Sequence, residues 1–231
     1  MSHLKHETKT MSETALDELL LIVNDKQELH PDLQKYVVDT SHFRMIQHPL
    51  MHTLYMGGTE SMLNKGYEQK QKMLAEYEAK GAWGLICTTV FDKPHRLDAL
   101  LRYGYKMTDA EYWSTVADIW TGMEYFYGNM DKWAQVFDVK RGDKQFLMDE
   151  DEREKFANLP DELVLYRGGS PDGWSWTLDR DVAGWFARRF GQGLRVHKHV
   201  VEKCNVDALF NGRGEKEILW RHASTTGGAP E

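Results

Sequence analysis

Apolar positions recur at helical spacing in the first two thirds of the chain and in short alternating runs thereafter. In residues 12–24, Leu16, Leu19, Leu20 and Val23 recur at i, i+3, i+4 and i+7, the period of one helix face. Residues 62–80 are rich in Glu, Lys, Gln and Tyr and predict a second helix, closed near Gly81. The run AWGLICTTVF at 82–91 is apolar throughout, and periodicity does not separate a strand from a buried helix there. Thr108-Asp109-Ala110-Glu111 has the spacing of a capping box. The helix it opens runs to about Tyr127 and carries Trp113, Val116, Trp120, Met123 and Tyr127 on one face, a pattern that predicts core. A further helix is expected around 131–137, and the charged segment 149–158 reads as a solvated helix or a linker.

Beyond Pro160 the texture shortens. ELVLYR at 162–167 predicts a strand, GGSPDG at 168–173 a turn-rich loop, and 174–177 a second short strand. Asp179 is placed to cap a helix over 179–190 with Ala183, Phe186, Ala187 and Phe190 as its apolar stripe. Strands follow at 195–201 and 217–220, separated by a polar turn at 211–214. The expected fold class is α+β, with a helical module over 1–158 and a small, mainly antiparallel module over 159–231.

Composition narrows the function classes. Eight Trp, ten Tyr and nine Phe in 231 residues need a core or a ligand to cover them, which argues against disorder. The longest apolar run is far short of the ~18 residues of a membrane span. The first residues are too polar for a secretory signal, and two cysteines make neither a disulfide framework nor a four-ligand zinc site. The expectation is a cytoplasmic protein with no membrane partner, Cys204 being a buried, inert thiol. Net charge is −7, whereas from Pro160 onward ten basic residues balance ten acidic ones. The acidity therefore lies in the first part, and no bulk basic excess announces a phosphate-binding surface. His48 and His52 are four apart, but Pro49 lies between them and no third ligand is evident, so no metal is expected. His197 and His199 alternate along a strand and share a face.

Three short pieces of the last third carry candidate chemistry: Tyr166-Arg167-Gly168, Ser175-Trp176-Thr177 and Glu215-Lys216-Glu217. Alternate residues of a strand share a face, so Ser175 points with Thr177, and Glu215 with Glu217. Hydroxyls, a guanidinium and paired carboxylates on one small sheet are an unusual polar investment. In this arrangement the chain resembles the ADP-ribosyltransferases of the Arg-Ser-Glu class, a fold of bacterial toxins and phage enzymes. DRDVAGWFA at 179–187 is similar to the helix that follows the Ser triplet in that class. The resemblance covers about 160–220, with a compact eight-residue step from Arg167 to Ser175.

The resemblance implies a split-sheet catalytic module using NAD as co-substrate, with no metal. It implies Glu217 as the catalytic carboxylate on the ribose, Ser175 orienting Glu217, and Arg167 on a phosphate. It further implies Gly168 letting the backbone approach the nicotinamide amide, Thr177 within the site, and Trp176 or Phe190 stacking on the nicotinamide ring. Glu215, two residues before the catalytic Glu, goes in that class with arginine acceptors or with water. The implied activity is mono-ADP-ribosyl transfer to a macromolecule, first a protein arginine, with the helical module selecting the target. RNA or DNA as acceptor, an NAD glycohydrolase, and a non-catalytic binding module are the alternatives. For Trp176, Trp185, Phe186 and Phe190, burial in the core is the competing reading.

Overall fold

The computed structural model describes residues 27–123, 129–189, 195–212 and 214–222. The helix expected over 12–24, Tyr127 and Phe190 lie outside the described residues. The protein is α+β, built from helices and two small antiparallel sheets. It divides into two compact units between Tyr103 and Gly104. Among the described residues no helix is long and apolar enough to cross a membrane.

The first unit contains a sheet that the sequence pattern did not predict. Strands β1 (Val37–Asp39), β2 (Arg44–His48) and β3 (Met51–Tyr55) form an antiparallel meander in which Ile46 faces Val37 and Thr53. Ile46 is fully buried, while most of the other strand positions are half-buried or exposed. Helix α1 (Pro31–Gln34) adds Leu33 to this core. Helix α2 (Glu60–Lys80) ends at Gly81, whose φ of 68° is the left-handed conformation that closes helices and favours glycine. The apolar run at 82–91 is helical: one turn, Trp83–Leu85, passes into a π-helical turn, Ile86–Val90, that buries Ile86, Cys87 and Val90. Helix α3 (Arg96–Tyr103) completes the unit with Leu97 and Leu100 inward. His48 and His52 sit on neighbouring strands rather than on one helix face. Burial pushes the His48 imidazole below its usual range.

The second unit packs helices against a five-stranded sheet. Helix α4 (Asp109–Gly122) starts where Thr108 Oγ1 accepts from the Glu111 amide at 3.2 Å. Of its predicted stripe Trp113, Val116 and Trp120 are buried, while the helix ends at Gly122, short of the expected 127, and leaves Met123 half-buried just beyond it. Helix α5 (Met130–Phe137) adds Trp133 and Phe137, which pack edge-on against Trp120 with ring centroids 4.9 and 6.0 Å away. The Tyr112 hydroxyl donates to the Val136 carbonyl at 2.9 Å, and burial pushes its pKa up to about 12, so it stays a donor.

Helix α6 (Glu150–Ala157) opens on a full capping box between Asp149 and Glu152. Glu152 also accepts from the Asn211 amide at 2.7 Å, so one carboxylate caps a helix and pins a distant turn. Glu152→Ala removes both bonds and should cost about 2 kcal/mol of stability, read as a lower urea unfolding midpoint. An unchanged midpoint would mean that water replaces the carboxylate without loss.

The sheet consists of β4 (Glu162–Gly168), β5 (Ser175–Thr177), β6 (Val196–Glu202), β7 (Ala208–Phe210) and β8 (Glu217–Leu219), ordered β6-β4-β5-β8-β7. Every pairing is antiparallel. The β4–β5 ladder has one bridged pair, Tyr166 with Thr177, so the sheet narrows there. Helix α7 (Arg180–Arg189) follows β5, with the Asp179 carboxylate accepting from the amides of Asp181 and Val182.

The expected break after residue 158 falls inside this unit. Helices α4 to α6 are joined to the sheet by Lys144 on Asp207 at 3.0 Å, the Glu152–Asn211 bond, and the Leu209 amide on Met148 sulfur at 3.3 Å. The physical reason is coverage, since a sheet of three- to seven-residue strands needs helices to bury its apolar face. Two residues differ from expectation. Trp185 is 47% exposed, because α7 turns the small side chains of Ala183 and Ala187 inward. Cys204 is exposed, on a 3-10 turn with its thiol 3.5 Å from Glu202.

Candidate active site

The three motif strands are neighbours, β4 beside β5 and β5 beside β8. Register sets which side chains share a face. Tyr166 pairs with Thr177, Thr177 with Glu217, and Glu217 with Phe210, so these four form one row. Ser175 pairs with Leu219 in the next row of the same face. Thr177, not Ser175, therefore stands directly opposite Glu217. Trp176 pairs with Ile218 on the other face, where it is buried against His199 and Trp220. The shared face of His197 and His199 is thus the face of Trp176, away from Glu217.

Arg167 lies one residue out of the row. Its Nε donates to the Ser170 carbonyl at 2.7 Å, and its Nη1 donates to the Ser175 carbonyl. The guanidinium thus fastens the loop between β4 and β5 at the point where their ladder ends. Two of the five N–H donors of an arginine are spent this way. Gly168 is needed for a close approach within the protein, because a Cβ there would overlap the backbone of Ala183 and Ala187 on α7.

Glu217 is the buried charge of the row, 7% exposed. Its Oε1 accepts from the Trp120 indole N–H at 3.0 Å. Together with Glu215 it lines a cleft of about 460 Å³, walled by Ser114, Ala117, Asp118 and Thr121 of α4, by residues 146–149, and by Glu152, Phe210 and Gly212. Five of these residues are acidic: Asp118, Asp149, Glu152, Glu215 and Glu217. Among the described lining residues none is Lys, Arg or His. Among the described residues no cluster of three or more His, Cys, Asp or Glu is placed to hold a metal ion.

The turn that carries both glutamates is held from β5. Thr177 Oγ1 donates to the Glu215 carbonyl at 2.7 Å and accepts from the Asp179 amide at 3.0 Å. The Leu178 amide donates to the Lys216 carbonyl at 3.2 Å. Lys216 has a φ of 48°, a left-handed conformation that costs a non-glycine residue free energy and that these bonds hold in place. Of the predicted residues, the cleft gathers Glu215 and Glu217, with Thr177 behind them. It does not gather Ser175, Arg167, Gly168 or Trp176.

The motifs do not mark Asp118, residues 146–149 and Glu152, which line the cleft, or Trp120, which meets it through its bond to Glu217. One signal was present for Trp120. A tryptophan on a buried stripe needs an acceptor for its N–H, and a carboxylate is a strong one.

The chain matches no protein-family model, no curated protein and no solved structure.

Proposed function

We propose that the second unit is an NAD-dependent mono-ADP-ribosyltransferase whose acceptor is a protein arginine. The observation that carries the reading is Glu217. It is a nearly buried carboxylate at the wall of a cleft, in the row of Thr177 and beside Ser175, with Glu215 at the same cleft. The bond broken is that between ribose C1′ and the nicotinamide nitrogen. Its electron pair leaves with nicotinamide, which departs neutral, and C1′ takes on oxocarbenium character. A carboxylate in a site of restricted water stabilises that cation more strongly than it would in bulk solvent.

The acidic lining supports the choice of acceptor. A carboxylate attracts a guanidinium, so Glu215 at the cleft supports a protein arginine as the acceptor. Glu215 takes a proton from the guanidinium nitrogen as that nitrogen forms the new bond to C1′. Arg167 stands outside the cleft with two donors spent on its own loop, and its assignment to the NAD phosphates rests on the resemblance alone.

Labelled NAD incubated with the pure protein and a bacterial lysate tests the reading. Label in a band that protease removes is the expected result. Label that nuclease removes would transfer the reading to nucleic acid, and free ADP-ribose alone would make the enzyme a glycohydrolase. Intact NAD in every tube would end the reading. Glu215→Gln should lower transfer to a small guanidine acceptor by roughly 100-fold, the lower end of what a positioned base supplies, while NAD hydrolysis changes little. Equal losses would make Glu215 a structural residue.

A further inference from the structure

The geometry points to Trp120 as a positioning residue for the Glu217 carboxylate, an inference that rests on the transferase reading above. Glu217 has two reasons to take up a proton. It is nearly buried, and burial disfavours the charged form. It also shares its cleft with like charges from every side: Asp118 on α4, Asp149 and Glu152 at the start of α6, and Glu215 in the turn before β8. Phe210 on β7 and Thr177 on β5, its neighbours across the sheet, carry no charge.

A donor aimed at a carboxylate oxygen favours the ionised form, and the Trp120 N–H is such a donor, at 3.0 Å and buried. It has no proton to give up at any working pH, so it does not take part in proton transfer itself. Its orientation is fixed by packing. Trp120 is 1% exposed and locked edge-on against Trp133 and Phe137. The aromatic core of the helices thereby reaches the chemistry of the sheet. Helix α4 ends two residues beyond Trp120, so a shift of that helix would move the donor off the carboxylate.

Replacing the indole N–H while keeping the ring tests this. Trp120→3-benzothienylalanine puts sulfur where the N–H was and preserves the shape, and Trp120→Phe is the simpler companion. The sulfur variant should fold and melt close to the parent. Its kcat for NAD cleavage should fall roughly 10-fold, the size of a lost hydrogen bond to a charged group, with KM for NAD nearly unchanged. The acid limb of its pH–rate profile should move up, because the carboxylate without its donor needs a higher pH to ionise.

A second readout needs no turnover: the side-chain ¹³C titration of Glu217, assigned by its loss in Glu217→Gln, should shift upward in the same variant. An active parent whose variant shows neither a rate loss nor a moved acid limb overturns the role of Trp120. A moved titration with unchanged kcat overturns it as well and makes the bond structural. A parent that leaves NAD intact overturns the transferase reading, and the role in turnover falls with it.

Discussion

Glu217→Gln should abolish NAD cleavage and leave the fold intact. The amide has the size and shape of the carboxylate, and its oxygen still accepts from the Trp120 N–H, so the buried hydrogen bond survives. On the proposed transferase reading, the variant loses the negative charge that would meet the oxocarbenium ion, along with the base strength of the carboxylate. Loss of one aimed electrostatic group in a water-poor site costs about 10²–10³-fold in kcat. The melting temperature should stay within roughly 3 °C of the parent, less than the shift that a lost kilocalorie produces in a unit of this size. A rate loss alongside a preserved melt separates chemistry from folding. Parent-like NAD cleavage by the folded variant would remove Glu217 from the mechanism, and a large drop in melting temperature would make its charge part of the structure instead.

The same substitution weighs the rest of the constellation. Thr177 spends its hydroxyl on the Glu215 carbonyl and the Asp179 amide, so it shapes the turn that presents the glutamates. Arg167 spends two donors on the loop of its own hairpin. Their variants should disturb geometry first and chemistry second. Glu217 is the member of the set whose removal alters charge at the cleft with little change in shape.

How much of this was legible in the sequence depended on the kind of signal. Helix α4 was legible because a cap residue and a stripe of large apolar residues agree, and both are local. The strands at 162–168 and 217–219 were legible as short apolar runs, and the strand order bears out the expectation that the three motifs share one small sheet. The sheet at 37–55 was illegible. Its strands are short, mostly half-exposed, and bury little beyond Ile46, so no clean alternation marks them. Strand β7, three residues buried on both faces, has no alternation to show. The unit boundary was illegible because texture changes at Pro160, whereas the contacts that join α4–α6 to the sheet link residues far apart in sequence. Arg167 marks a further limit. A sequence names a guanidinium but not its direction, and one residue of register decides whether it faces the row of Glu217. Cys204 looked buried beside the apolar strand before it, yet the 3-10 turn Lys203–Asn205 brings it to the surface.

Gly168→Ala should be among the most damaging single-methyl changes in the second unit. The Cβ it adds would overlap the Ala183 carbonyl and the Ala187 amide, and would lie 3.0 Å from the Ala187 Cα. These are backbone atoms in the middle of α7, so no side-chain rotation relieves the overlap. Either the helix lifts off the sheet or the end of β4 bends away from it. Lifting α7 unpacks Ala183 and Ala187 from β4, and bending β4 strains the last pair of its ladder with β6, Gly168 to Val196. Overpacking of this kind costs about 3 kcal/mol, at the upper end of the usual range because rigid backbone lies on both sides. In a unit of this size that is a fall of roughly 10 °C in melting temperature, readable by near-ultraviolet circular dichroism. Gly212→Ala is the matched control, since a Cβ there meets nothing within 4 Å. If both variants melt with the parent, α7 does not press on the end of β4. If Gly168→Ala alone falls, the glycine beside Arg167 is explained by helix-to-strand packing, and its close approach is made within the protein and not to a ligand.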